Sequence, residues 1–285
     1  MKRDLLNLID ELYPEFSKGQ RRIADYILKN YDKAAYMTAS KLGTLVNVSE
    51  STVVRFAIEL GYEGYPDMQR SMQEFVRTKL TSFQRIEVTN NLIGDGDILE
   101  KVLTSDIDKI KRTCENVDRN SFNGAVDAVV NAKRIFIIGV RSSSNLAGFL
   151  NHSLRMIFDD VRLLQTTSGS EMFEQLIEIS ENDVLIAISF PRYSKSVKNA
   201  VEFAKNKGAD VIALTDSEQA PIAERADQLL LAESDMASFV DSLVAPLSII
   251  NALVVAVAKK KQESLKERLA QLEQIWDNYD VYDKF

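Results

Sequence analysis

Apolar residues recur at three- and four-residue spacing through the first 80 positions, whereas beyond about position 134 they gather into short continuous runs. The first pattern is that of amphipathic helices. Residues 2–13 read as a helix stopped by Pro14, and Ser17 caps a second whose inward face is Ile23, Ala24, Ile27 and Leu28. Two short helices fall within 39–58, a glycine-punctuated turn at 61–66, and a polar helix from about Asp67 to Lys79. The period fails from 80 to 97, where AsnAsn and GlyAspGlyAsp appear, so this stretch reads as a linker. Asp97 is placed to cap a helix from Ile98 to Cys114, and a further helix spans 121–131.

The later apolar runs, 134–140, 161–164, 183–189, 210–215 and 228–231, are continuous and not alternating, which suits parallel strands covered on both faces. Helices of crossover length, Ser144 to Phe158 and Lys195 to Lys207, lie between them. The expected fold class is two domains: an all-α helix-turn-helix bundle over 1–79, then, after the linker, a doubly wound parallel-sheet α/β domain over 98–285. The tail places Leu265, Leu269, Leu272 and Trp276 on one helical stripe, to be packed on its own domain or on a partner subunit.

Residues 39–58 carry the most specific local signal. Leu42, Val46, Val48, Val53 and Phe56 have the offsets that bury one face of each of two steeply crossed helices. Gly43 keeps the first helix thin at the crossing, Asn47 tolerates the left-handed turn, and Ser49 caps the second helix. Glu50, Ser51, Thr52, Arg55 and Glu59 then face outward. In a helix-turn-helix this is the face offered to the major groove of DNA, and Lys41, Ser49, Ser51, Thr52 and Arg55 are the candidate contacts.

Charge alters this picture by its distribution. The formal net charge is −7, yet residues 1–80 hold 12 Lys and Arg against 11 Asp and Glu, while the remainder holds 23 against 31. Only the amino-terminal segment, with Lys18, Arg21 and Arg22 at one helix start, has the balance a polyanion tolerates. The single cysteine, Cys114, forbids an internal disulfide and reads as core with Leu103, Ile107 and Ile110. His152 is the only histidine, so no metal cluster is expected, and no cofactor is called for. The first ten residues carry charge within their apolar pattern and no cleavage site, which argues for a helix and against a signal peptide. Asp241, Pro246 and Asn251 interrupt the apolar run from Phe239 to Ala258, so a buried helix is expected and not a membrane span, giving a cytoplasmic protein.

In an open parallel sheet, ligands collect outside the carboxyl ends of the strands. Two loops there are rich in hydroxyls: Gly139 to Ser144 with Arg141, Ser142, Ser143 and Ser144, and Ser189 to Ser196 with Ser189, Arg192 and Ser194. Each runs into a helix start, where backbone donors favour an anion, and Arg192 can grip a phosphate or carboxylate in a fork. The plainer alternative is that these serines only cap helices. Residues 166–170 are a possible third wall. An isomerase needs a base, and none is marked: His152 lies mid-helix, and the spacing of Glu171 and Glu174 singles out neither.

The run ValSerGluSerThrValValArgPheAlaIleGluLeuGlyTyrGluGlyTyr at 48–65 resembles the signature of the RpiR family of bacterial transcription regulators, and the α/β part resembles the sugar isomerase (SIS) domain that this family carries. The resemblance implies a dimeric or tetrameric regulator of sugar or sugar-acid catabolism genes that binds a double-stranded operator and senses a phosphorylated sugar without turning it over. The family's ligand-binding serines map onto Ser143, Ser189 and Ser194. Where the family often has a second glycine in the first loop, this chain has Arg141, and the usual SerXSerGlyXThr becomes Ser189PheProArgTyrSer194. The competing readings are a sugar-phosphate isomerase with an added helical domain, and a helical bundle that binds another protein.

Overall fold

A computed structural model describes residues 5–79, 84–86, 96–165, 169–235 and 241–282. Most of the 80–97 stretch, and Thr166 to Ser168 of the possible third wall, lie outside the described residues. The chain forms two compact units that divide in sequence between Gly96 and Asp97.

The first unit is helical. Helix α1 (Leu5–Leu12) runs into a single 3-10 turn, Tyr13–Glu15, where Pro14 ends it. Helix α2 (Lys18–Lys29) starts in a capping box: the Ser17 side chain accepts from the Gln20 backbone, and the Gln20 side chain accepts from that of Ser17. A short α3 (Tyr31–Ala34) precedes α4 (Ala39–Leu45), α5 (Glu50–Glu59) and α6 (Tyr65–Lys79). Their shared core holds Ile23, Ile27, Leu42, Val53 and Phe56. Helix α6 is not the polar helix that the sequence suggested, because Tyr65, Met68, Met72 and Val76 are buried in the same core. Tyr65 donates its hydroxyl to the Met37 carbonyl at 2.7 Å, and burial pushes its phenol up to about 12.

The second unit begins with α7 (Ile98–Asn116), capped by Asp97, and α8 (Arg119–Asn131), capped by Asp118. Strands β1 (Arg134–Gly139), β2 (Val161–Leu164), β3 (Asp183–Ile188), β4 (Asp210–Thr215) and β5 (Gln228–Leu231) form one parallel sheet in the order β2-β1-β3-β4-β5. Helices α9 (Ser143–Arg155), α10 (Gly169–Leu176), α11 (Lys195–Asn206), α12 (Val244–Lys260) and α13 (Gln262–Asn278) complete the unit. Successive strand residues face opposite ways, so Ile135 and Ile137 join a core with α8, α9 and α12, while Phe136 and Ile138 join one with α10 and α11. Both faces of the sheet are covered, which is why its strands read as unbroken apolar runs.

The face of α7 is reversed from expectation. Leu103, Ile107 and Ile110 are 53%, 64% and 38% exposed, and Cys114 is exposed as well. Its inward side carries buried Lys109 and Thr113 instead, with Lys109 Nζ donating to Ser105 Oγ at 2.6 Å and Thr113 Oγ1 accepting from Glu233 N at 2.9 Å. Periodicity located the apolar stripe but not the side on which its own domain lies. Helix α13 likewise buries none of its residues, and its Leu265, Leu269, Leu272 and Trp276 stripe is half-buried.

Charged groups fasten the edge of the sheet where the strands begin. Arg134 donates to both carboxylate oxygens of buried Asp183, at 3.0 and 2.8 Å, and Ser180 adds two more donors. Burial alone would raise the Asp183 carboxyl; the Arg134 fork and Ser180 outweigh it and hold the group below its usual range. A folded-state value below the unfolded one means that stability is fully present above about pH 5 and is lost as pH falls through the folded value. Arg134→Ala is expected to destabilise the protein by about 3–5 kcal/mol at pH 7, since it leaves a buried carboxylate unpaired. Denaturant titrations at pH 7 and pH 3 should show the gap to wild type narrowing in acid.

Candidate functional site

Two places gather the polar residues singled out above, one in each unit. In the first, Gly43 sits where α4 meets the turn, and a Cβ there would lie 2.9 Å from the Val48 carbonyl oxygen. Asn47 adopts φ +56°, and Ser49 caps α5 by accepting from Thr52 N. The hydroxyls of Ser49, Ser51 and Thr52 are linked, at 2.9 Å and 2.8 Å from Ser49 Oγ. Arg55 is exposed, its Nε donating to the Ser51 carbonyl at 3.3 Å, and Lys41 is exposed on α4. The helix start thus offers hydroxyls, then a guanidinium one turn on, along one solvent-facing ridge.

Two bracing residues were not foreseen. Arg22 Nη1 donates to the Asn47 carbonyl at 3.1 Å and holds the turn, while the Gln20 side chain donates to Glu59 and ties the α2 cap to the end of α5. Arg21 is also occupied, donating to the Pro14 carbonyl and lying over the Tyr13 ring. Of the basic cluster at the α2 start, two members therefore serve the fold.

In the second unit, β1 and β3 are neighbours, with Gly139 in register with Ile188. The chain leaves β1 through α9 on one face towards β2 and leaves β3 through α11 on the other face towards β4. That divergence puts the 139–143 and 189–194 loops at the switch point, the place where open α/β sheets take ligands in a crevice. A Cβ on Gly139 would lie 2.5 Å from the Ser143 carbonyl oxygen, so glycine lets α9 start directly against the strand. Ser142 is the residue before α9 yet makes no side-chain capping bond; Ser143 is buried at the helix start, and Ser144 Oγ donates to the Arg141 carbonyl at 2.6 Å. Ser194, by contrast, does cap α11, accepting from Ser196 N at 3.2 Å. The capping alternative accounts for Ser194 and leaves the first loop unexplained by it. Ser189 is buried at the end of β3, and Tyr193 donates to Asp216 Oδ1 at 2.9 Å. Asp216, beyond β4, had no signal in sequence because its partner is 23 residues away.

Both units match known protein families. The helix-turn-helix domain of the rpiR family matches residues 3–78, and the SIS domain matches residues 128–256. This chain belongs to the RpiR family. The RpiR-family chain is 29% identical over 232 residues to an uncharacterised HTH-type transcriptional regulator of Haemophilus influenzae, covering 80% of this chain and 79% of that one. It is 24% identical over 284 residues to the HTH-type transcriptional regulator HexR of Escherichia coli, covering 95% and 93%. Its fold resembles that of the Vibrio vulnificus NanR protein complexed with ManNAc-6P, with a TM-score of 0.60, 24% identity, and coverage of 96% and 98%.

Of the side chains weighed as general bases in this RpiR-family chain, one is remote from the first loop. His152 is exposed in the last turn of α9, nine residues from Ser143 and therefore about 13 Å along the helix from its start. Glu171 and Glu174 are exposed on α10. Among the described residues, no helix is long and apolar enough to cross a membrane.

Proposed function

We propose that this RpiR-family regulator binds an operator through α5 and responds to a phosphorylated sugar, or sugar acid, held in the crevice between the β1 and β3 loops. The observation that carries this reading is the first loop, where hydroxyls unused for capping meet a helix start and offer donors to a phosphate. The ManNAc-6P complex of the similarly folded NanR protein supports the same ligand class. The genes served are those of sugar catabolism, and the protein works in the cytoplasm beside its DNA.

The working unit in this reading is a homodimer, with a pair of dimers open to it. Helix α7 points leucine and isoleucine outward and lysine inward, and such a stripe is buried by a second copy of the same helix. Two copies then present two reading helices to a near-palindromic operator.

Sheared genomic DNA captured on the protein, with and without sugar phosphates, tests the reading. Enrichment of a few near-palindromic sites that changes with effector supports it; no enrichment, together with turnover of aldose or ketose phosphates, establishes an isomerase instead. Arg55→Ala is expected to weaken binding to a captured site by about 10- to 100-fold while the circular-dichroism spectrum stays unchanged. Affinity of the wild type should fall steeply with salt, on the order of 0.9 log units per contacted phosphate for each tenfold rise. A flat salt response points to a protein partner for α5.

A further inference from the structure

Helix α5 carries two exposed carboxylates, Glu50 and Glu59. Glu50 lies in the first turn, where the positive end of the helix dipole favours a negative charge. Glu59 is the last residue of the helix, where the dipole disfavours one, and it stands on the face proposed to approach a polyanion. Thr52, Arg55 and Glu59 recur at three- and four-residue spacing, and they line one open depression with Gln20 and Arg22 of α2.

Gln20 decides where the Glu59 carboxylate points. Its Oε1 accepts from Ser17 N at 2.9 Å in the α2 capping box, so its amide nitrogen is turned towards α5 and donates to Glu59 Oε2. Arg55 precedes Glu59 by four residues, a spacing at which opposite charges on a helix pair readily. Among the described residues no ion pair joins them: Arg55 turns its Nε to the Ser51 carbonyl, and Glu59 is held by a neutral amide. The ridge therefore presents a guanidinium and a carboxylate that do not cancel each other.

We propose that Glu59 is a base-reading residue that accepts from the N4 amino group of a cytosine, with Gln20 as its positioning residue. The inference rests on α5 being the DNA-reading helix. In the major groove guanine and thymine offer a carboxylate only acceptors, and adenine sets its N7 acceptor beside its amino group. Cytosine presents a donor without that neighbour, so it alone offsets both costs of placing a carboxylate here. Arg55, one turn earlier, suits a guanine through its terminal nitrogens, and Gln20 keeps the two charges apart so that each meets its own base.

Selection by the full chain from a pool of random-sequence duplexes tests this. The wild type should enrich a half-site with one C·G pair that turns towards A·T in Glu59→Gln, since an amide offers the acceptor and donor that match adenine. That amide still accepts from Gln20, so a role confined to bracing α2 against α5 leaves the enriched sequence unchanged. Replacing the C·G pair should cost the wild type about tenfold or more in affinity and Glu59→Ala less than about twofold. Gln20→Ala should weaken the same preference while its melting curve stays a single transition, and an undiminished preference there overturns the positioning role. An enriched sequence that neither Glu59→Gln nor Glu59→Ala alters, or a change confined to pairs other than C·G, overturns the inference and leaves α5 as the reader. Failure of the wild type to enrich any sequence overturns both.

Discussion

Ile107→Lys is expected to convert the protein to a monomer and to lower its affinity for a two-half-site operator by about 10²- to 10⁴-fold, the gain that linking two binding modules provides. Ile107 is 64% exposed in the single chain, so a lysine there costs the fold little. In a pair of α7 helices the same position is covered. Burying one isoleucine stabilises by roughly 1.5–3 kcal/mol, and a lysine loses this and has to shed its hydration besides. Sedimentation at micromolar concentration reads the mass, and binding to a single half-site should remain close to wild type. A variant that stays dimeric, with Leu103→Lys also dimeric, rules out α7 as the contact.

Gly139→Ala should leave operator binding intact and abolish the response to effector. The added methyl meets the Ser143 carbonyl oxygen at 2.5 Å, the Ser143 carbonyl carbon at 3.0 Å and the Ala147 Cβ at 3.1 Å. Two of these atoms are backbone, so relief requires the start of α9 to move, and with it the first loop. Overpacking of this kind costs about 1–3 kcal/mol, or a fall in melting temperature of roughly 2–10 °C for a domain of this size. Thermal melts and operator binding with and without sugar phosphate distinguish this from general unfolding. An undiminished effector response means that the ligand does not use the α9 start.

Local chemistry made much of this legible in sequence. Ser17, Ser49 and Asp97 each need only a neighbour three residues on to cap a helix, and Asn47 needs only its own backbone to make a turn, so these features follow from the adjacent residues. Strand positions were legible for a similar reason, since an unbroken apolar run of four to six residues has few other uses. Long-range arrangement was not. Nothing near Gly139 announces that β3, some 50 residues on, will lie beside β1 and make a crevice there. The direction of α7 was hidden too, because an apolar stripe is assigned by habit to the chain's own core, whereas Lys109 and Thr113 take that side here. The backbone of Arg141 and Arg192 contradicts arginine's own preference, and in the sequence only the glycines that the resembling family has at these places hint at it.

The charged fastening at the strand starts decides where the second unit can give. Arg134 bridges Asp183 and Glu178, Arg162 bridges Asp160 and Glu178, and Asp227 joins Lys205 to the backbone of Val211. These contacts touch the first residues of β1 and β3, the second residues of β2 and β4 and the residue before β5. The sheet is thus riveted by charged groups at the end where its strands begin, like a fan at its pivot. In the proposed reading, an effector that drew the two loops together would turn the helices about that riveted edge. Helix α9, 13 residues and so about 20 Å long, converts a turn of a few degrees into a displacement of roughly 1–2 Å at the crevice. Shifts of that size are the kind that repack helices at subunit interfaces. Helix α9 packs on α12, and α12 packs on α7, so the lever ends at the helix whose apolar stripe is exposed and which the proposed dimer would bury.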